Sequence, residues 1–218
     1  MISAVIPTLN AAGTLAECLA AVSAADEIVV VDGGSSDETA AIAELTGARL
    51  VGSVRGRGAQ LQSGVLATRG DWLLVLHADT ILERGWREAV DLHIEAFPGR
   101  AAFFRLRLQA DDWQARIIEA GVAMRARLFG LPYGDQGVLI SRELYEAVGR
   151  YNPLPLMEDV DLIRRIGRTR LQALPVAAVT SAERWRRDGW LRRSSRNLLY
   201  LMLYSAGVPT KRLAELYD

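Results

Sequence analysis

Short apolar runs alternate along this chain with stretches whose apolar residues recur every three or four positions. Residues 2–6 (ISAVI), 27–31 (EIVVV), 48–52 (ARLVG) and 71–76 (DWLLVL) read as strands. Residues 13–23, 36–46, 56–68 and 83–96 read as the helices that follow them. Four strand–helix repeats predict an α/β fold, its sheet mainly parallel and covered by helices on both faces. The nearly continuous apolar strands agree, because a strand covered on both sides has no polar face. After residue 100 the pattern changes. AAFFRLRLQ (101–109) alternates in its second half, so one side meets water. A helix is expected over 112–128, a strand over 137–141 and a helix over 142–149 closed by glycine. A helix over 158–167, a short strand near 171–174 and a helical tail over 189–217 complete the reading.

In an open parallel sheet, ligands bind beyond the carboxyl ends of the strands. Those ends carry Pro7-Thr8-Leu9-Asn10, then Asp32-Gly33-Gly34-Ser35-Ser36-Asp37, then Arg55-Gly56-Arg57-Gly58, then His77-Ala78-Asp79. Asp32 can accept hydrogen bonds from a nucleobase or ribose edge, and the glycines after it admit close approach. Ser36 or Asp37 can equally cap the next helix. Arg55 and Arg57 are cationic forks suited to phosphate, or residues of a solvated loop. A carboxylate at Asp79, straight after LLVL, suits a divalent cation bridging a diphosphate. Glu158 and Asp159 open a helix, where ionised carboxylates are favoured and where one can take a proton from a hydroxyl. A capping pair has the same composition. Tyr133-Gly134-Asp135-Gln136 is a polar turn that reads as an acceptor contact or a plain loop.

Composition narrows the classes. The net charge is zero, so no global field points to nucleic acid. Lys211 is the single lysine, which excludes a P-loop and argues against Schiff-base chemistry. There is no G-x-S-x-G, and His77 and His93 are the only histidines, so serine hydrolysis is poorly supported. Cys18, the only cysteine, sits in an apolar stretch and reads as core, with no internal disulfide. One cysteine, no signal-peptide pattern and no apolar run of about 20 residues are the basis for expecting a cytoplasmic protein. RWRRDGWLRRSSRNLLYLMLY (184–204) is basic, then apolar. It suits peripheral contact with the inner face of a membrane, a docked helix or a homodimer contact.

IPTLNAAGTL (6–15), EIVVVDGGSSDET (27–39), GRGAQLQSG (56–64), LLVLHADT (73–80) and MEDVDLIRRI (157–166) together resemble family-2 glycosyltransferases, and PYGDQGVLISRELYEAVGRYNPLPLMEDVDL (132–162) with TSAERWRRDG (180–189) resembles more narrowly a bacterial subgroup of small stand-alone members. The resemblance implies a GT-A-type, Rossmann-like mixed sheet in a single domain over residues 1–218. Within it would lie a nucleotide-binding half (about 1–100), an acceptor-binding half (about 101–185) and a helical tail. It implies an inverting transfer from a nucleoside diphosphate sugar, UDP- or GDP-linked, to an acceptor that is a small molecule or lipid-linked. Pro7, Thr8, Asn10 and Asp32 would line the nucleoside pocket and Arg57 would lie near the diphosphate, with Arg55, Gly58 and Ala78 as further expected nucleotide-sugar contacts. Asp79 matches the last position of the D-x-D motif that binds Mn²⁺ or Mg²⁺, and Asp159, beside Glu158, matches the base. Asp135, Gln136, Arg184 and Trp185 are the expected acceptor contacts.

Two departures matter. His77 stands where the first aspartate of D-x-D is expected, so the metal would have Asp79 and an imidazole. Arg57 stands where the family usually has lysine. Two rivals stand beside transfer: a nucleotide-sugar-binding protein without turnover, kept open by His77, and a sugar-phosphate nucleotidyltransferase. The loop after the first strand, PTLNAAG, lacks the basic residue that the second rival usually carries there.

Overall fold

The computed structural model describes residues 1–217, apart from the side chains of Arg184 and Tyr217. In chain order the elements are β1 (Ile2–Thr8), α1 (Ala12–Ala21), β2 (Glu27–Asp32), α2 (Thr39–Leu45), β3 (Arg49–Gly52), α3 (Arg57–Ala67), β4 (Trp72–Val75), β5 (Thr80–Leu82) and α4 (Trp86–Ala96). There follow β6 (Ala101–Gln109), α5 (Trp113–Phe129), β7 (Val138–Ser141), α6 (Arg142–Ala147), α7 (Glu158–Ile166), β8 (Leu171–Ser181), α8 (Glu183–Asp188), α9 (Trp190–Ser205) and α10 (Thr210–Tyr217).

One eight-stranded sheet runs through both halves in the order β3-β2-β1-β4-β7-β6-β8-β5. The first four are parallel, β7 is antiparallel to both its neighbours, and β5 is antiparallel to β8. Period-two alternation divides β1 between two cores. Ile2, Ala4 and Ile6 pack with Leu15, Cys18, Trp86 and Val90 on one side. Val5 packs with Leu61, Val65, Leu162 and Ile166 on the other. Cys18 is buried core, as expected, and burial pushes its thiol up to about 12. Gly64 is fixed by this packing, since a Cβ there would lie 2.5 Å from Val5 and 2.6 Å from Val31.

Two strands differ from expectation. β5 is three residues long, too short for periodicity to register, and it turns Asp79 from a strand end into the apex of a β4–β5 turn. β8 runs to Ser181 instead of ending near 174. Pro175 lies within it, on an irregularity where the β6 register jumps from Phe103↔Ala173 to Arg105↔Ala177, a place where proline is tolerated. The helical tail is broken at Gly207-Val208-Pro209. Among the described residues, no helix is long and apolar enough to cross a membrane.

Candidate active site

Two cavities open at the carboxyl ends of β1 and β4. One, of about 320 Å³, is lined by Pro7, Leu9, Asn10, Ala11, Gly13, Thr14 and Ala78. The other, of about 180 Å³, is lined by Tyr133, Gly134, Asp135, Glu158, Asp159 and Trp185, with Arg193, Asn197 and Tyr200 from α9. Arg57, His77, Asp79 and Ser181 line both, so the two spaces meet at one polar junction.

The loop after β2 is ordered by Asp32. One carboxylate oxygen accepts from the hydroxyls of Thr8 (3.1 Å) and Ser35 (2.5 Å), the other from the N–H groups of Gly34 (3.0 Å) and Ser35 (2.8 Å). Burial pushes this carboxyl up, but the four donors outweigh it and hold it below the usual carboxylate range. A carboxylate has about four lone-pair directions, and here all are taken by the protein. Asp32 therefore shapes the loop instead of facing the cavity, and buried Thr8 serves the same network. Asn10, in the left-handed region at φ 51°, accepts from the Ser36 N–H at 2.9 Å. Asp37 accepts from the Ala12 N–H and from Thr39, joining the starts of α1 and α2.

Arg57 enters from the start of α3. Its Nε lies 3.0 Å from Glu158, whose side chain is 3 % exposed, and its Nη2 donates to Nε2 of His77. Accepting from a guanidinium commits the Nε2 lone pair, so His77 does not present that nitrogen to a cation. Burial, partly offset by Arg57, pushes the Glu158 carboxyl up, and Asp159 adds to the rise. Cys18 donates from Sγ to the His77 carbonyl at 3.4 Å and helps fix the turn that carries Asp79.

Asp159 stands in the first turn of α7. Met157 just before it is in the left-handed region at φ 67°, a strained conformation for a non-glycine residue. Each oxygen of Asp159 accepts one backbone N–H at 2.7 Å, from Gly134 and from Val160. Gly134 has no room for a side chain: a Cβ would lie 2.6 Å from His77 Nε2, 2.8 Å from Arg57 and 3.0 Å from Asp159. Asp135 keeps a buried Oδ1 with no hydrogen-bond partner, and burial pushes its carboxyl up to about 6 despite Arg125 and Arg57 nearby.

Several expected site residues lie elsewhere. Arg55 is exposed on the loop before α3 and lines neither cavity. Gly58 is buried against the 152–154 segment, where a Cβ would meet the Asn152 carbonyl at 2.5 Å, so its role is packing. Gln136 is buried and spent on the backbone: it donates to the Phe104 carbonyl at 3.1 Å and accepts from the Tyr133 N–H at 3.3 Å. It is not an acceptor contact. Trp185 does line the second cavity, with the Arg193 guanidinium 5.0 Å from its ring centre, and the side chain of Arg184 lies outside the described residues. The reading missed Gln60, which donates to the Thr8 carbonyl (2.7 Å) and the Val31 carbonyl (2.9 Å) and ties the ends of β1 and β2. It also missed Arg193, Asn197 and Tyr200, although their helical spacing puts them on one face of α9.

Among the described residues, no three histidine, cysteine or acidic side chains converge as a metal cage. The donor chemistry still fits Mn²⁺ or Mg²⁺ held by one carboxylate, Asp79, with phosphate and water oxygens completing the shell, a common habit of Mg²⁺.

The model of Glycosyl transferase family 2 matches residues 3–116. A "PGL/p-HBAD biosynthesis glycosyltransferase" of Mycobacterium bovis is 40 % identical over 93 residues, covering 38 % of this chain and 36 % of its own. An "uncharacterized glycosyltransferase" of Mycobacterium tuberculosis is 36 % identical over 85 residues, covering 38 % and 39 %. The chain thus spans little more than a third of the length of the curated relatives it matches. Among solved structures, Staphylococcus aureus TarS 1–349 superposes with a TM-score of 0.65 at 16 % identity over 83 % of this chain and 60 % of TarS. Glucosyl-3-phosphoglycerate synthase of M. tuberculosis, solved with Mn²⁺, UDP and glucosyl-3-phosphoglycerate, gives 0.62 at 20 % identity over 96 % and 81 %. At these identities the likeness shows the fold, which is of the GT-A type. With more than half of its residues matched by the family model, the chain belongs to glycosyltransferase family 2.

Proposed function

We propose that this protein is an inverting glycosyltransferase that moves a sugar from a UDP- or GDP-sugar to an acceptor hydroxyl. The observation that carries the reading is the meeting of two cavities at Arg57, His77 and Asp79, with a carboxylate, Asp159, in the second. Two spaces joined at a charged junction suit two substrates that react where they touch. The nucleoside diphosphate occupies the larger cavity, against Pro7, Asn10 and Ala78. That the synthase similar in fold was solved with UDP and Mn²⁺, and TarS with UDP-GlcNAc, supports the donor class.

Asp159 accepts the proton of the acceptor hydroxyl. The oxygen attacks the anomeric carbon from the face opposite the diphosphate, and the breaking C–O bond leaves its electron pair on the nucleoside diphosphate. Arg57 at the junction stabilises charge that grows only as that bond breaks. A bound Mn²⁺ or Mg²⁺ would add positive charge for the same leaving group, with Asp79 as the side chain that holds it. Glu158, paired with Arg57, orients the guanidinium.

A thermal-shift panel of UDP, GDP, dTDP and CDP, each with and without Mn²⁺, tests the donor. A ligand at about 100 times its Kd stabilises by about 2.7 kcal/mol. Asp159→Asn is expected to keep the nucleotide shift and to lose about 10²–10⁴ of transfer or donor hydrolysis. Failure of every nucleotide to shift the melt overturns the reading. Binding with no turnover in wild type favours the other reading, a nucleotide-sugar-binding protein, for which the commitment of His77 Nε2 to Arg57 speaks.

A further inference from the structure

Helix α5 is built inside out. Its buried side consists of Ala115, Val122 and Ala126. Its solvent side carries Trp113, Ile117, Met124 and Leu128, which are 67, 60, 61 and 51 % exposed. Their spacing of four, seven and four residues sets them on one stripe roughly 22 Å long. A surface helix normally turns such a stripe inward. Leu191 at the start of α9, 85 % exposed, extends the apolar surface. Between the two helices lies a groove of about 490 Å³ lined by Trp113, Ile117, Ile118, Trp190, Leu191 and Arg192. A contiguous exposed apolar surface of this kind marks a contact site.

Charge identifies what it meets. Helices α5, α8 and α9 hold nine arginines and three acids; Arg193 turns inward and Arg125 stacks on Tyr133, while Arg116, Arg127, Arg186, Arg187 and Arg192 are exposed. Arg127 and Arg192, flanking the stripe, have no ion pair among the described residues. A second copy would place this same cationic surface against itself, because a two-fold interface is self-complementary, and like charges would oppose it. An anionic lipid surface meets both the apolar stripe and the arginines. The helices lie on such a surface and do not cross it. The inward face of α9 lines the acidic cavity through Arg193, Asn197 and Tyr200 while Leu191 and Ser194 line the groove, so one helix separates the cavity from the apolar surface.

We propose that α5 and α9 seat this protein on an anionic bilayer, with Trp113, Ile117, Met124 and Leu191 at the headgroup–acyl boundary and arginines on the lipid phosphates. The full chain would be floated with vesicles of phosphatidylcholine alone or mixed equally with phosphatidylglycerol, at low and high salt. Binding is expected to be at least about tenfold stronger to the mixed vesicles and to weaken with salt. The exposed double variant Ile117→Glu/Leu191→Glu should lose that binding while keeping the wild-type melt, which shows that it folds. Brominated lipid should quench tryptophan fluorescence less in Trp113→Phe than in wild type. No binding by wild type, equal binding by the double variant, or a solution dimer that ignores vesicles and dissociates on Ile117→Glu overturns the proposal. None of these readouts depends on nucleotide binding or transfer.

Discussion

Asp135→Asn should stabilise this protein at neutral and alkaline pH. Asp135 sits in the acidic cavity with a buried, unpartnered Oδ1, and burial raises its carboxyl from 3.8 to about 6. A raised folded-state pKa means that the native state binds the proton more tightly than the unfolded chain does. The favourable contribution is complete below about pH 4 and is lost as pH rises through about 6; above that, the native state bears an ill-solvated charge. A shift of about two units corresponds to roughly 3 kcal/mol. The carboxyl is partly open to the cavity, so an effect on the order of 1–3 kcal/mol is expected. For a chain of this size each kcal/mol moves Tm by about 2–4 °C. Melting curves of wild type and Asp135→Asn, taken in steps from pH 4 to 8, check it. The two should nearly coincide at pH 4 and separate between about 4 and 6, the variant melting several degrees higher thereafter. A gap of the same size at every pH, or a variant less stable at pH 8, would refute the assignment of the burial penalty to this carboxylate.

Gly58→Ala should destabilise by about 1–3 kcal/mol in urea melts, because its Cβ would stand 2.5 Å from the Asn152 carbonyl and the neighbour is backbone. Gly134→Ala meets side-chain ends instead (His77, Arg57 and Asp159), so a folded protein with transfer reduced by about 10²-fold is expected, read as kcat against Tm. Asp79→Ala should abolish any increment that Mn²⁺ adds to the nucleotide thermal shift and leave the metal-free shift in place. Arg57→Lys keeps the charge but loses the fork that serves Glu158 and His77 together, which releases His77 Nε2; the Mn²⁺ increment should then grow.

The fold was legible where burial imposes a period. The first four strands and their helices match the reading to within a few residues, because each has one dominant environment. β5 escaped because three residues show no period, and β8 runs on past the expected 171–174, carrying Pro175 through an irregularity in the β6 pairing. The inside-out character of α5 could not be read either. Apolar residues lie on both its faces, and only the packed sheet determines which face is inward.

The site was legible as a location and less so as a set of roles. Topology alone puts the polar strand ends on one rim, and Pro7, Asn10, Arg57, His77, Ala78 and Asp79 do meet there. What the sequence does not contain is which lone pairs the protein has already used. Asp32 and Asp159 are both carboxylates beside loops, yet Asp32 accepts four hydrogen bonds and Asp159 accepts two from backbone. The first has about four lone-pair directions engaged by its own loop; the second keeps about two. Gln136 and Asp135 are neighbours in one turn, and the amide is tied at both ends while the carboxylate keeps a bare oxygen. Those differences come from Gly34, Ser35, Phe104 and Tyr133, whose residue types carry no chemical signal of their own. A residue's type makes it a candidate, and the donors and acceptors that folding brings to it decide whether it builds the site or acts in it.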